Sequence, residues 1–392
     1  MSPPRMVALG DVHLTRSTPR DVSDDLARLI ETHPGTRIVI AGDLFDLSAD
    51  LPKLPLTRAI DEVFATHVSA KAALGRHIAR GGELWLVSGN HDAALGFDDF
   101  RTALENVLDL PSEARSRLRT TPWFFREGGL HIEHGHIFDP DNAPTHPLVL
   151  GEASLGVHFV EQFIAPTGAH RYLNMNDETP LKLFLSAFSF YGPRAPYVIY
   201  RYFHAAIHAV LRSGPAYRRR TKMEEPLGEE ELARFTDAFG IPSDLARSLL
   251  DLSARPTLES VSRTFSRLYF DRVLSTIAMG AGLSAAALGK KRAGKAVFSI
   301  GALALASSWA RGHNRYRGST AEQLAEGAQR IVDTTGAQLV IFGHTHREAL
   351  GENYANTASF AFPRGAPGRP FLEIDMAGET PRAHRRYWPK AV

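Results

Sequence analysis

Polar side chains of the kinds that bind divalent metals recur at five separate places along the chain. Carboxylate, imidazole and amide oxygen together suit Mn²⁺, Fe²⁺ or Zn²⁺, and the chain has no cysteine to supply thiolate ligands. Two such ions can clamp the attacking and leaving oxygens of an in-line displacement at phosphorus. The residue types therefore indicate metal-assisted cleavage of a phosphate ester. The five blocks are Asp11-Val12-His13, Gly42-Asp43-Leu44-Phe45-Asp46, Gly89-Asn90-His91-Asp92, His134-Gly135-His136 and Gly343-His344-Thr345-His346.

Each block follows a short apolar run that is typical of a buried β-strand. Helical patterns at 21–32 and 57–80 separate the first three runs, which predicts βαβ units and a largely parallel sheet. Open α/β sheets place their ligands at the carboxyl ends of the strands, so we expect the blocks to meet there. On a strand, the spacing of two in Asp-x-His and His-x-His would place both side chains on one face, and at a strand end that turns into a loop the two ligands can converge on one site. The runs are residues 6–9, 37–41, 84–87, 129–133 and 338–342.

The strand pattern is interrupted in the middle of the chain. From about Pro140 to Ala337 the sequence is helical in pattern and rich in aromatic residues and arginine. The simplest organisation is one α/β catalytic domain, residues 1–139 and 337–392, interrupted by a helical insertion or cap at 140–336.

The ordered blocks resemble the calcineurin-like metallophosphoesterase superfamily. Its pattern is Asp-x-His, Gly-Asp-x-x-Asp, Gly-Asn-His-Asp/Glu, a later His and Gly-His-x-His, and all five parts occur here in that order. The resemblance covers the catalytic domain and not the insertion. It implies an αββα sandwich, two divalent metal ions (Mn²⁺ first, with Fe or Zn as alternatives) and a metal-bridging hydroxide as the nucleophile.

The resemblance also implies a role for individual residues. Asp43 would bridge the two metals, His91 would face the phosphate as a cation or general acid, and Asp46 would orient His91. One metal would be held by Asp11, His13, Asp43 and His346, and the other by Asp43, Asn90, His134 and His344.

Some assignments stay open at the level of sequence. His134 is the expected ligand of its block, with His136 as a supporting residue and His131 as a hydrogen-bonded strand histidine. Asp92 fits either a helix N-cap or a catalytic role. The segment 139–144 is either a plain turn or a substrate-reading loop, in which Asn142 would bind substrate. His136 is a further candidate for substrate binding.

Two uncharged apolar runs stand out in the insertion. Residues 273–288 and 296–310 are joined by the basic segment 289–295, which predicts a helical hairpin. The runs are slightly shorter than a typical membrane span, and a basic turn across a membrane would oppose the positive-inside rule. Residues 196–211 form an aromatic and basic amphipathic segment of a kind found at membrane interfaces. Membrane association and a buried soluble cap both remain open.

The expected function is hydrolysis of a phosphodiester or pyrophosphate in a lipid-linked or amphipathic substrate. The blocks are also similar to the UDP-2,3-diacylglucosamine hydrolase family, which departs from this chain by an Arg in place of His91 and by a shorter insertion. The alternatives are a soluble phosphodiesterase or phosphatase acting on nucleotides or phosphoproteins, and a nuclease, with the insertion as a lid. A net charge of +2 argues against a general nucleic-acid binder. The first five residues lack an apolar leader, so we expect a cytoplasmic protein peripheral to the inner face of the membrane.

Overall fold

The computed structural model describes residues 5–169, 180–310, 319–365 and 367–389. The chain divides into two compact units. The first unit comprises Met1–Glu161, Thr221–Pro256 and Thr320–Val392, and the second comprises Gln162–Arg220 and Thr257–Ser319. The boundaries at residues 139 and 337 between the catalytic domain and the insertion stay a prediction. The unit that contains both sheets also includes residues 140–161, 221–256 and 320–336.

Two mixed sheets form the centre of the first unit. The larger sheet has the strand order β11-β10-β1-β2-β3-β4, and the smaller has the order β5-β6-β7-β9-β8. Strands β1 to β4 are parallel, whereas β10 is antiparallel to β1. The described strands are β1 Arg5–Leu9, β2 Arg37–Ala41, β3 Glu83–Val87, β4 Leu118–Thr121, β5 Phe124–Glu127, β6 Leu130–Glu133, β7 Leu339–Phe342, β8 Ala349–Leu350, β9 Tyr354–Asn356, β10 Gly368–Asp375 and β11 Arg382–Pro389.

Helices in the described part of the chain belong to both units. Those of the first unit are α1 Arg20–Glu31, α2 Leu56–Thr66, α3 Val68–Ala79, α4 Asp98–Val107, α5 Leu155–Phe159, α10 Glu224–Phe239, α11 Ser243–Leu250 and α15 Ser319–Thr335. Those of the second unit are α6 Ala165–Thr167, α7 Pro180–Tyr191, α8 Ala195–Arg212, α9 Pro215–Arg220, α12 Val261–Arg267, α13 Phe270–Ala287 and α14 Lys291–Ala310.

The strands of the larger sheet alternate between two cores, as the two-residue period of a strand requires. On β2, Ile38 and Ile40 pack with helices α1 to α4, whereas Val39 and Ala41 face the smaller sheet. A third core lies between the smaller sheet and helices α10, α11 and α15. The first unit therefore has four layers, and the predicted αββα sandwich is confirmed.

The helix predicted over residues 57–80 is two helices. His67 lies between α2 and α3 with φ −108° and ψ 54°, outside the helical region. Its buried ring bonds to the Ser23 hydroxyl through Nδ1 (2.9 Å) and to the Thr15 carbonyl through Nε2 (2.8 Å). These tertiary contacts stabilise the break between α2 and α3, which the spacing of apolar residues in the sequence does not indicate.

A buried arginine holds the loop that follows β9 against the end of β1. Arg369 Nε donates to Asp25 Oδ2 and Nη2 donates to Asp21 Oδ2, each at 2.7 Å. Nη1 donates to the carbonyls of Phe360 and Ala361. The Ala361 N–H in turn donates to the Asp11 carbonyl (3.1 Å), so this arginine supports the first metal-type block.

Replacing Arg369 by methionine is expected to lower the free energy of unfolding by about 3–5 kcal/mol, because it removes the buried and closer of the two cations beside Asp25 and leaves only Arg28 at 3.5 Å. Urea unfolding of the metal-free protein measures this. The matched control is Arg386→Met on β11, where a 54% exposed side chain pairs with Glu373 at the surface and about 0–1 kcal/mol is expected. Equal losses in the two variants would show that the Arg369 network is not stabilising.

Candidate metal centre

The first group of donors comes from the ends of β1 and β7. His346 Nε2 lies 3.1 Å from Asp11 Oδ1 and 3.0 Å from His13 Nε2. His13 Nε2 lies 3.7 Å from the same Asp11 oxygen. One donor atom from each of these three residues lies within 4.8 Å of the other two, a spacing that suits a shared divalent ion.

The second group lies around Asp43 at the end of β2. His134 Nε2 is 3.2 Å from Asp43 Oδ2 and 3.0 Å from Asn90 Oδ1. The same Asp43 oxygen is 3.9 Å from His13 Nε2 of the first group. Asp43 Oδ2 therefore lies between histidine nitrogens that belong to two different donor groups.

The backbone is left-handed at five of the predicted ligands. Asp11, His13 and Asp43 have φ values of 55°, 48° and 54°, and His344 and His346 have values of 68° and 54°. Such conformations cost about 1–3 kcal/mol each and cluster at functional sites. Asp11 and His13, and likewise His344 and His346, do not share a strand face, because they lie in the loops after β1 and β7. The left-handed backbone at these residues directs their side chains toward the other donors.

Glycines of the blocks provide the space that the ligands occupy. A Cβ atom on Gly42 would lie 2.2 Å from His134 Nδ1, and one on Gly89 would lie 2.0 Å from Asp43 Oδ1. A Cβ atom on Gly343 would lie 2.6 Å from Asp11 Oδ2. Each of these glycines thus admits a ligand that comes from a different block.

Backbone groups orient the ligands toward the centre. His134 Nδ1 lies 2.9 Å from the Ala41 carbonyl, which can only accept, so Nε2 is the nitrogen that faces Asp43. Asp43 Oδ1 accepts from the His91 N–H (3.0 Å), and Asp11 Oδ2 accepts from the His344 N–H (3.1 Å). Asp11 Oδ1 and His13 Nδ1 are buried and make no hydrogen bond of good geometry among the described residues, although His346 Nε2 lies 3.1 Å from Asp11 Oδ1. Carboxylate oxygens and imidazoles held in this way fit divalent metal ions.

His91 and Asp46 form a buried pair beside the first donor group. His91 Nδ1 lies 2.8 Å from Asp46 Oδ1, and the Ser48 hydroxyl lies within hydrogen-bond distance of both side chains. Burial would lower the pKa of His91, but the charges of Asp46 and Asp43 raise it to about 10. Burial would raise the pKa of Asp46, but the neighbouring imidazolium holds it below its usual value. Ser48 was not predicted, because no spacing rule points to it.

Asp92 joins the ends of β2 and β3. Its carboxylate accepts from the N–H groups of Asp43 (3.3 Å), Phe45 (3.1 Å) and Gly89 (2.8 Å). Asp92 occupies the N-cap position of the short helix at residues 93–96, as one of the two expected assignments has it, but its side chain makes no capping bond there. Burial and the charge of Asp43 raise the pKa of Asp92 to about 7.

His344 lies beside the second donor group but contacts a residue that the sequence analysis did not assign as a ligand. Its ring centroid is 5.1 Å from that of His134, and its Nε2 is 3.0 Å from Asp139 Oδ2. Asn142 donates to the same Asp139 oxygen (2.8 Å) and accepts from Asn90 Nδ2 (3.3 Å). The predicted loop 139–144 therefore reaches the centre through Asp139 and Asn142.

The two remaining histidines of this region are buried. His136 packs beside His134 with a ring centroid distance of 5.4 Å, and its Nδ1 has no described hydrogen-bond partner. Burial and the neighbouring imidazoles of His134 and His344 lower the pKa of His136. His131 lies in β6 as predicted, but neither ring nitrogen has a described hydrogen-bond partner, and Nε2 is 3.4 Å from Glu133. The expectation of a hydrogen-bonded His131 is wrong.

Comparison with known proteins identifies the family of the chain. No curated protein matches it. A sequence profile described as calcineurin-like phosphoesterase matches residues 4–240, more than half of the chain and four of the five blocks. The Gly343 block lies beyond the matched range, and the fold brings His346 to Asp11 and His13. The chain belongs to the calcineurin-like phosphoesterase family of metal-dependent phosphoester hydrolases.

Proposed function

We propose that the chain hydrolyses a phosphodiester or pyrophosphate bond of a lipid-linked substrate at a dinuclear metal centre. The observation that carries the proposal is the position of Asp43 Oδ2, which lies 3.2 Å from His134 Nε2 and 3.9 Å from His13 Nε2. One carboxylate oxygen between two donor groups is suited to bridging two ions.

The donor groups divide into two metal sites in this proposal. Asp11, His13 and His346 would hold one ion, Asn90, His134 and His344 would hold the other, and Asp43 would contribute to both sites. Two bound divalent ions, with Mn²⁺ preferred to Fe or Zn, supply Lewis acidity and an activated water. The contact of His344 Nε2 with Asp139 orients this imidazole in the metal-free state.

His91 and Asp46 act on the substrate and not on the metals. Burial would lower the pKa of the His91 imidazole, but the negative charges of Asp46 and Asp43 raise it and favour the protonated form. The protonated imidazole can therefore stabilise the phosphoryl oxygens as a cation or donate its Nε2 proton to the leaving oxygen. Asp46 holds Nδ1, and Ser48 supports this carboxylate through a 2.7 Å hydrogen bond.

A lipid-linked substrate is supported by the surface of the second unit. Helix α8 leaves Tyr197, Tyr200, Ile207 and Leu211 exposed, beside Arg212 at its end. Aromatic and aliphatic side chains next to a cation suit an amphipath or a membrane interface. On this ground we propose a location at a membrane surface, and the cytoplasmic side follows only from the sequence. Asn142, which bonds to Asn90 and Asp139, and His136 stay the candidate substrate-binding residues.

Metal binding is expected to release protons and to strengthen as the pH rises. The charge of Asp43 overcomes burial and raises the pKa of His134 to about 9 in the metal-free protein. A metal on Nε2 must displace that proton, so the apparent Mn²⁺ affinity should rise about tenfold per pH unit for each proton displaced, up to about pH 9. Calorimetry in buffers of different ionisation enthalpy counts the protons. Mn²⁺ binding that releases no protons near neutral pH, with an Mn²⁺ affinity that does not change with pH, would contradict the assignment of His134 as a ligand.

The proposed reaction is tested on a panel of substrates with the Mn²⁺-loaded protein. The panel comprises a UDP-linked diacylated sugar, its deacylated counterpart, a chromogenic phosphodiester, a chromogenic phosphomonoester, and single- and double-stranded DNA. We expect cleavage of the chromogenic diester and a kcat/KM at least about tenfold higher for the acylated than for the deacylated substrate, because acyl chains add apolar contact area.

The other outcomes separate the alternatives. Equal turnover of the acylated and deacylated substrates would remove the lipid-linked assignment and favour a soluble phosphodiesterase. Cleavage confined to monoesters or to DNA would favour a phosphatase or a nuclease. Absence of any turnover with metal bound would contradict the proposed reaction.

A further inference from the structure

Helices α13 and α14 form an antiparallel hairpin in the second unit with small residues between them. Its buried positions recur every seven residues, and a Cβ atom on Gly282 would lie 2.5 Å from the Phe298 nitrogen. A Cβ atom on Gly301 would lie 2.8 Å from the Ser275 carbonyl oxygen. The buried positions are Ser275, Gly282, Gly294, Gly301 and Ser308.

Large apolar side chains cover the outside of the hairpin. Ile300 and Leu303 are 66% and 71% exposed, and the same outward placement holds on both helices. This is the reverse of a water-soluble hairpin, in which large apolar residues meet at the helix contact and polar residues face outward. Small residues at the contact are typical of helices packed in lipid. The other exposed residues are Leu274, Ile277, Leu283, Leu288, Val297 and Trp309.

The dimensions and charges of the hairpin match a bilayer. The helices have 18 and 20 residues, about 27 and 30 Å at 1.5 Å per residue, and their uncharged parts, 273–287 and 296–310, are each about 22 Å long. Long lysine and arginine side chains at the ends can extend to the interface over the rest of a hydrocarbon thickness of about 30 Å. No charged residue occurs within 273–289 or 296–310. Within the described residues, α14 is the one helix that is long and apolar enough to cross a membrane by its length and composition.

Cationic and aromatic residues lie at the two ends. At the base, the Arg272 guanidinium is 4.7 Å from the Tyr269 ring centroid and 5.6 Å from that of Trp309. At the turn, four exposed cations have no ion pair among the described residues, and they complement the phosphates of anionic lipids. These are Lys290, Lys291, Arg292 and Lys295.

A basic turn on the far side of a membrane would by itself oppose the positive-inside rule, but the sequence next to the base of the hairpin is more basic still. The turn has four cations, and the base is flanked by six arginines in the sequence. The positive-inside rule therefore favours the base, not the turn, on the cytoplasmic side. The flanking arginines are Arg263, Arg267, Arg272, Arg311, Arg315 and Arg317.

We propose that the α13–α14 hairpin inserts across a phospholipid bilayer, with its small residues at the helix contact and its large apolar residues facing the acyl chains. The basic turn contacts anionic headgroups at the far interface. This inference rests on the hairpin alone and goes beyond the proposed catalytic function, because membrane insertion requires no particular substrate.

Flotation of the full chain with vesicles tests insertion. The protein is purified in mild detergent and reconstituted with vesicles of three parts phosphatidylethanolamine to one part phosphatidylglycerol. We expect the wild type to float and to resist extraction by high salt and alkaline carbonate. The double variant Ile300→Lys with Leu303→Lys should float at least about tenfold less, because lysine at mid-membrane is strongly unfavourable. The matched control is Leu227→Lys on α10, where a 46% exposed leucine lies outside the hairpin and flotation should not change.

A second variant tests the turn. The quadruple variant should preserve resistance to carbonate but lower the preference for vesicles containing phosphatidylglycerol; its substitutions are Lys290→Gln, Lys291→Gln, Arg292→Gln and Lys295→Gln. Hydrolysis of a chromogenic phosphodiester in detergent checks that each variant is folded. Flotation without hydrolysis in the wild type would contradict the proposed function and leave insertion intact.

Three results would overturn insertion. The first is a wild-type protein that stays monodisperse in detergent-free buffer and does not float. The second is a detergent-free oligomer that does not float, which would make a second copy of the chain the occupant of the apolar surface. The third is a double lysine variant that floats and resists carbonate like the wild type.

Discussion

The variant Asp43→Asn is expected to lose metal from both sites and to reduce kcat by at least about 10³-fold. Asp43 Oδ2 lies between His134 Nε2 and His13 Nε2, and its other oxygen accepts from the His91 N–H. The asparagine side chain has nearly the shape of the Asp43 carboxylate, but it lacks the negative charge that would compensate two divalent cations. Loss of about 4 kcal/mol of metal-derived stabilisation corresponds to this reduction in rate. Metal content after gel filtration and turnover of a phosphodiester measure the two effects.

The control for this variant is Asp98→Asn, which changes a carboxylate whose side chain is 93% exposed at the start of α4. It should keep wild-type metal content and rate. Asp43→Asn with two fully occupied metal sites and a normal rate would show that Asp43 does not bridge the ions.

The variant His91→Ala is expected to retain both metals and to lose about 10²–10⁴-fold in kcat on a substrate with a poor leaving group. The protonated imidazole, with its pKa raised to about 10, is lost, but no proposed metal ligand changes. A p-nitrophenyl leaving group needs little protonation, so the loss on such a substrate should be markedly smaller. Rates on a pair of diesters that differ only in the leaving group measure this difference.

The control is His384→Ala, an exposed histidine on β11. It should leave both rates unchanged. Equal losses on the good and poor leaving groups would assign His91 to phosphate binding alone and exclude proton donation. Unreduced turnover of the poor-leaving-group substrate, with metals bound, would remove His91 from catalysis.

Much of the centre could be predicted from the sequence because its donors lie in short local blocks. Each block is a strand run followed by a donor residue, and parallel strands bring such ends to one edge of a sheet. Asp11, His13 and His346 meet as expected, although the third lies 333 residues from the second. The hairpin could also be predicted, since uncharged runs on either side of a basic turn leave few alternatives.

Other parts of the centre depend on contacts that have no local signature. Asp139 contacts His344 across 205 residues, and Ser48 joins Asp46 to His91. The left-handed turns at Asp11 and Asp43 arise from the close approach of strand ends, which a two-residue period does not encode. The outer helices α10, α11 and α15 were predicted as insertion, because a helical pattern alone does not tell which sheet it covers.

The most direct test of the central claim is the position of bound metal. Anomalous diffraction from crystals grown with saturating Mn²⁺ should give two peaks about 3.5–4 Å apart, one on either side of Asp43 Oδ2. The first should lie among Asp11, His13 and His346, and the second among Asn90, His134 and His344. A single fully occupied peak in protein that turns over substrate would contradict the dinuclear centre.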